Sequence, residues 1–254
     1  DVCSSDLTGA RSRELPNLKQ DGKKIIGYRE AMNLPALPAS MVVVGSGAIG
    51  SEFAGFYRSM GTEVTLVEFM PRLLPLEDEE VSRTLERAFR KMKMKTMTGS
   101  SVENVDTSGE KCRVTIKTPK GEEVTEADIV LSAVGIAANI EGIGLEECGV
   151  KTERGKIIVD AYYRTSAEGI YAIGDVVPGP ALAHVASAEA IVCVEKIAGL
   201  DPEPVDYGNI PGCTYSTPEV ASCGMTEEAA RAAGIETTTG KFMFMASGKA
   251  SAAG

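Results

Sequence analysis

The sequence predicts an α/β, Rossmann-like dinucleotide-binding fold with a β-meander crossover, and three observations carry that expectation. A Val-rich apolar run at 41–44 leads directly into Gly45-Ser46-Gly47-Ala48-Ile49-Gly50. A helix-like stretch follows, and a second apolar run at 64–67 ends on Glu68. Further on, short strand candidates precede another buried-strand run at 128–134, where a crossover helix would normally stand between parallel strands.

The first run is too short for a core helix and too rich in valine for anything but a buried strand. Gly45 permits the tight turn, Gly47 lets the backbone approach a pyrophosphate, and Gly50 lets the next helix lie close to its strand. Phosphates would then face the helix N-terminus, whose unpaired N–H groups and dipole bind an anion without a lysine. Ile49, Phe53, Phe56, Tyr57 and Met60 are expected to form the apolar stripe of that helix, with Gly61 as its stop.

An acid about 20 residues into such a unit accepts hydrogen bonds from ribose hydroxyls and repels a 2′-phosphate, so Glu68 favours NAD over NADP. Arg72 lies close by, either softening that repulsion or simply solvated beside Pro71. A glycine motif alone is weak evidence, but strand, helix and acid in register make it specific.

The 254 residues are 43% hydrophobic, enough for buried cores, and a net charge of −10 argues against nucleic acid or an anionic membrane as partner. The densest basic run, Arg90, Lys91, Lys93 and Lys95, closes a helix that begins with glutamates and reads as a solvated helix end. No apolar run approaches the ~18 residues of a membrane span, and the start does not resemble a signal peptide. A cytoplasmic location is the expectation. The six cysteines show no CxxC, no CxxxxC and no paired spacing, so no metal site is expected and they read as buried or free thiols.

The chain opens on polar DVCSSDL without Met and closes at SGKASAAG, and is expected to be a piece cut at both ends. Residues 1–7 are expected to be a translated adapter. Residues 8–37, broken by Pro16 and Pro35, are expected to be the tail of one domain and a linker. A dinucleotide unit should occupy 38–155, with an amphipathic helix over 77–92 and a meander built from 95–98, 101–105, 112–118 and 122–125. Residues 165–175 read as an apolar strand ending in Gly174 and Asp175. That acid fits a ligand-hydroxyl acceptor, and equally an Asp capping a strand-to-loop turn. Thr226, followed by Glu227 and Glu228, predicts a helix N-cap.

Thr8-Gly9-Ala10, the glycine motif, Ser132-Ala133-Val134-Gly135 with Asn139, the segment from Gly174 to His184, and Tyr215-Ser216-Thr217-Pro218-Glu219-Val220-Ala221 together resemble the flavin-dependent pyridine-nucleotide disulfide oxidoreductases, with greatest similarity to the branch that oxidises dihydrolipoamide. The likeness covers nearly everything after residue 7. It implies two cofactors, NAD and FAD. It also implies that 156–205 is a second segment of an FAD domain and that 206–254 begins a dimerisation domain, with a homodimer and a 2-oxoacid dehydrogenase complex as partners.

By the same resemblance Asp175 meets the ribityl chain of the flavin, and Leu182, Ala183 and His184 lie along its ring. Ala133, Val134, Gly135, Ile136 and the Val102 backbone line the NAD site, while Glu52, otherwise a plain helix acid, lies near the nicotinamide–flavin contact. Two departures stand out. Val185 replaces a family lysine, and Ile136-Ala137-Ala138 replaces Arg-x-Pro, which is expected to loosen a turn.

The implied chemistry also needs a CxxxxC disulfide and a His-Glu base pair, and neither pattern occurs here. His184, the only histidine, sits in the flavin-side segment and reads as bound by backbone or packing. No catalytic residue is therefore assigned, and the polypeptide alone is expected to bind NAD, to bind flavin weakly or not at all, and not to turn over. The alternatives are another disulfide oxidoreductase, such as a mercuric reductase or NADH oxidase, or a non-catalytic NAD-binding module.

Overall fold

The computed structural model describes residues 7–253; the expectation of an adapter at 1–7 thus falls, Leu7 apart, outside the described residues. The chain divides into two compact units, one ending at Gly224 and the other beginning at Met225. Each has its own architecture.

The first unit opens with β1 (Ala10–Ser12), β2 (Ile25–Ile26) and the single turn α1 (Tyr28–Ala31). The motif region then supplies β3 (Ser40–Val44), α2 (Ala48–Ser59) and β4 (Glu63–Val67), followed by α3 (Glu79–Lys91) and β5 (Lys95–Met97). Three antiparallel strands, β6 (Ser101–Asp106), β7 (Cys112–Thr118) and β8 (Gly121–Ala127), lead into β9 (Ile129–Ser132). Strands β2, β9, β3, β4 and β5 lie in that order in one parallel sheet.

Side-chain alternation along β3 explains the layering. Met41 and Val43 join Ala54, Tyr57, Leu85 and Phe89 in a core under α2 and α3. Val42 and Val44 point the other way, into a second core with Val114, Ile116 and Ala127 of the meander. The sheet is thereby covered on both faces, as a parallel sheet requires, and the meander does the covering that a helix would otherwise do.

Several expectations need correction. Within residues 8–37, expected to be the tail of one domain and a linker, Ile25 and Ile26 are buried and extend the parallel sheet beside β9, a strand the expectation did not contain. Lys95–Met97 pairs with β4, so the meander has three strands instead of four. On α2 the buried face consists of Gly50, Ser51, Ala54, Gly55 and Tyr57, while Phe56 and Met60 are 56% and 57% exposed. Small residues win that face because the helix lies so close to the sheet; a Cβ on Gly50 would stand 1.9 Å from the Gly45 carbonyl oxygen. Finally, Ile136–Ala138 is no loosened turn but a strand, β10, paired antiparallel with β1.

After β10 come the short hairpin β11 (Thr152–Glu153) and β12 (Lys156–Ile157), helix α4 (Ala183–Ile197), and the hairpin β13 (Pro211–Thr214) and β14 (Val220–Cys223). Residues 170–173 do not form the expected strand. Tyr171 makes only an isolated bridge to Arg164, and a strand without a laddered neighbour is not held. The second unit contains α5 (Glu227–Ala232) and α6 (Gly248–Ala253), and Thr226 caps α5 by accepting a hydrogen bond from the Ala229 amide, as expected. Among the described residues no helix is long and apolar enough to cross a membrane.

Candidate functional site

The glycine turn sits where β3 stops. Gly45 takes φ +97°, a conformation that L side chains rarely adopt, and its N–H donates to the Val67 carbonyl. A Cβ there would lie 2.4 Å from the Ala133 carbonyl oxygen, so the turn is wedged against the loop that follows β9. Gly47 differs. It is exposed, has nothing within 4 Å of its would-be Cβ, and caps α2 without a side-chain hydrogen bond. Helix α2 therefore begins with its first-turn amides beside an open, side-chain-free approach, the geometry that receives a phosphate.

Glu68 follows β4 and is only 6% exposed. Its Oε2 accepts from the Ser46 amide and from Ser46 Oγ, both at 2.7 Å, and its Oε1 accepts from the Met70 amide at 2.7 Å. The Ser46 carbonyl in turn accepts from the Leu74 amide and from Ser51 Oγ. The carboxylate thus fixes the shape of the glycine loop, and one of its roughly four acceptor positions, on Oε1, stays available for a hydroxyl. That internal role is not legible from spacing, which puts the acid at the strand end without saying what it holds.

Around this loop the structure collects several expected residues. Ala133, Val134, Gly135 and Ile136 follow β9 directly, with the Ala133 amide bonded to the Val44 carbonyl and the Gly135 carbonyl bonded to the Arg13 amide. Val102 is less open: its side chain is buried with Val67 and Val134, and its carbonyl accepts from Asn17 Nδ2 at 2.6 Å. Glu52 Oε1 accepts from the Tyr215 amide at 2.8 Å, so it is not a freely solvated helix acid.

A second group lies at the N-terminus of α4. Gly174 and Asp175 form a 3₁₀ turn, Leu182 caps α4, and Ala183 and His184 open it. His184 Nε2 lies 3.0 Å from the Pro211 carbonyl oxygen, which is the backbone role expected of it. Hairpin β13–β14 therefore meets α4 through His184 and α2 through Glu52, and links the two groups. Val185, where the family has lysine, is buried.

The sequence reading missed Glu189. It is fully buried on α4, accepts from the Gly174 amide at 2.6 Å and from Tyr207 Oη at 2.6 Å. An acid at a position sharing a helix face with Val185, Val192 and Cys193 was the available signal.

Comparison with known proteins agrees with this geometry. Residues 8–190 match the model of the pyridine nucleotide-disulphide oxidoreductases, and 210–254 match the dimerisation domain of the same proteins. The chain is 49% identical over 250 residues to a dihydrolipoyl dehydrogenase of Rhizobium etli, covering 97% of this chain and 52% of that protein. It is 51% identical over 249 residues to one of Chlorobaculum parvum, covering 97% and 53%. The chain spans about half the length of the curated relatives it matches. Among solved structures, LpdA of Mycobacterium tuberculosis superposes with a TM-score of 0.88 at 30% identity, covering 97% of this chain and 53% of that one. The HOCl-induced flavoprotein disulfide reductase RclA of Escherichia coli gives 0.86 at 25% identity, covering 97% and 57%. The match spans the glycine turn, the meander and the Gly-Asp turn, and the chain belongs to the pyridine nucleotide-disulphide oxidoreductases.

Proposed function

We propose that this chain forms the NAD-binding portion and part of the FAD-binding portion of a dihydrolipoyl dehydrogenase. The observation that carries the reading is the open, uncapped N-terminus of α2 beside Gly47 with the Glu68 carboxylate fastened to the same loop.

In this reading the amides at Gly47, Ala48 and Ile49 bind the diphosphate of NAD, and Glu68 Oε1 accepts a bond from the adenosine ribose. Gly50 holds the helix close enough for those amides to converge. Residues 133–136 line the nicotinamide half, with Glu52 beside it, and the Asp175 carboxylate accepts from the ribityl hydroxyls of FAD while Leu182, Ala183 and His184 flank the ring. When bound together, the two cofactors supply the redox chemistry, by which two electrons from dihydrolipoamide leave as hydride on NAD+. The protein's part is to fix their geometry and keep water out.

Residues 210–254, matched to a dimerisation domain, support a homodimer; a 2-oxoacid dehydrogenase complex as a further partner rests on the sequence resemblance alone. The likeness to RclA supports the alternative of another disulfide reductase of the same family. Because neither CxxxxC nor a second histidine occurs in the 254 residues, the polypeptide alone is expected to show no lipoamide turnover.

Calorimetric titration with NAD+ and NADP+ tests the reading. NAD+ should bind at least about tenfold more tightly, since a 2′-phosphate beside Glu68 is a like-charge contact. Equal affinity for the two, or no heat with either, refutes it.

A further inference from the structure

Helix α4 buries a carboxylate where a helix face should be apolar. Glu189 is 1% exposed among Val185, Val192 and Cys193, and among the described residues it forms no ion pair. An unpaired buried charge is costly unless hydrogen bonds replace its water, so each of its contacts matters. Oε2 accepts from the Gly174 amide and Oε1 from Tyr207 Oη, both at 2.6 Å. With its O–H donating to Glu189, the Tyr207 oxygen is left to accept from Tyr163 Oη, 3.1 Å away. The polar chain is fully ordered, Tyr163 to Tyr207 to Glu189, with Gly174 donating from the other side.

The same residues hold both ends of the 174–179 loop. Gly174 takes φ +73°, and a Cβ there would stand 3.3 Å from the Ala186 Cβ, so the turn rests on α4. Gly179 takes φ +136° and lies under the Tyr207 ring, whose Cε1 would be 3.0 Å from a Cβ. Lys156 Nζ donates to the Asp175 backbone carbonyl. The Asp175 backbone is therefore held on three sides, while its carboxylate accepts no hydrogen bond from any described residue. Burial, then the bond to Glu189, pushes the Tyr207 phenol well above its ordinary range, so it stays a donor.

We propose that Glu189 is a positioning residue: a buried side chain that, with Tyr207, locks the Gly174–Asp175 turn so that the free Asp175 carboxylate faces a polyhydroxylated chain. The identification of that chain as the ribityl of FAD rests on the functional reading above; the locking of the turn does not. Through Tyr207, four residues before hairpin β13–β14, the same carboxylate ties the turn to the segment that leads into the hairpin.

Amide hydrogen exchange on the 254-residue chain, resolved by NMR, tests this with Glu189→Leu, Glu189→Gln and Tyr207→Phe. In Glu189→Leu the Gly174 amide should exchange at least about tenfold faster while the 41–44 amides of β3 keep their protection, since one hydrogen bond to a charged group is lost locally. Glu189→Gln should stay within about threefold of the parent, because its carbonyl can face Gly174 and its amide can donate to Tyr207. Tyr207→Phe should speed Gly174 several-fold, and it decides the matter should Glu189→Leu fail to fold. An unchanged Gly174 rate in Tyr207→Phe overturns the proposal, as does Glu189→Gln behaving like Glu189→Leu, or β3 losing protection in parallel with Gly174. The NAD+ titration stands apart from this measurement, so the two can fail separately.

Discussion

At the scale of single residues, Glu68 carries two duties. It closes the strand where a ribose acceptor belongs, and it accepts three hydrogen bonds that shape the loop around Ser46. Glu68→Ala leaves the Ser46 and Met70 amides without their acceptor and should lower stability by about 1–3 kcal/mol in urea denaturation. A change within about 0.5 kcal/mol, typical of a surface site, would show that the loop does not depend on the carboxylate. The cysteines divide by burial. Burial pushes the Cys112 and Cys193 thiols up, whereas Cys148, Cys213 and Cys223 are exposed. Alkylation of the native chain should mark Cys148, Cys213 and Cys223 and spare Cys112 and Cys193, read by peptide mass; labelling of the two buried thiols at the same rate would contradict the packing. Spacing singled out Glu68 as the acid that ends the second apolar run, whereas Asp175 was singled out only by the family resemblance. Spacing could flag Glu189 as an acid on an apolar helix face but not its role, which comes from a partner 15 residues away in sequence and another 18 away.

Among elements, strands β3, β4 and β9 were legible because each is a run of apolar residues buried on both faces. Strand β2 was hidden, since two residues between Lys24 and Gly27 carry no period. Ile26→Ala should nonetheless cost about 2–5 kcal/mol, as for other fully buried isoleucines, where a linker residue would cost almost nothing. The buried face of α2 was misread because hydrophobicity ranks Phe56 and Met60 above Ser51 and Gly55, while the close approach of helix to sheet selects for size. Beside the β1–β10 pair, Arg11 donates to both oxygens of Glu141 and holds that carboxyl down from 4.5 to about 2. A depressed carboxyl pKa contributes to the folded state fully above the unfolded value and loses that contribution as pH falls through the folded one, so the window is about 4.5 to 2. Both side chains are well exposed, so salt should shrink the effect. An NMR titration of the Glu141 side chain should give a midpoint near 2, and a midpoint near 4.5 would show that the pair does not form.

For the molecule as a whole, fold and cofactor class were legible because one continuous stretch, from β3 through Glu68, encodes a complete supersecondary unit. What joins the dinucleotide loop to the Gly-Asp turn was not, because it depends on hairpin β13–β14 meeting Glu52 of α2 and His184 of α4, contacts that span 163 and 27 residues. The glycines of the loop offer the sharpest test of why the site has its shape. Gly47 has open space and an ordinary backbone conformation, so Gly47→Ala should fold with unchanged stability, whereas Gly50→Ala would press a methyl to 1.9 Å from the Gly45 carbonyl oxygen and should unfold more easily. The deciding measurement is NAD+ affinity of Gly47→Ala against the parent chain by calorimetry, alongside thermal unfolding without ligand. The parent should bind NAD+, and the variant should keep the parent's unfolding temperature yet bind at least about tenfold more weakly, because the added methyl stands where the diphosphate must approach the backbone. Equal affinity in the two proteins would contradict the account.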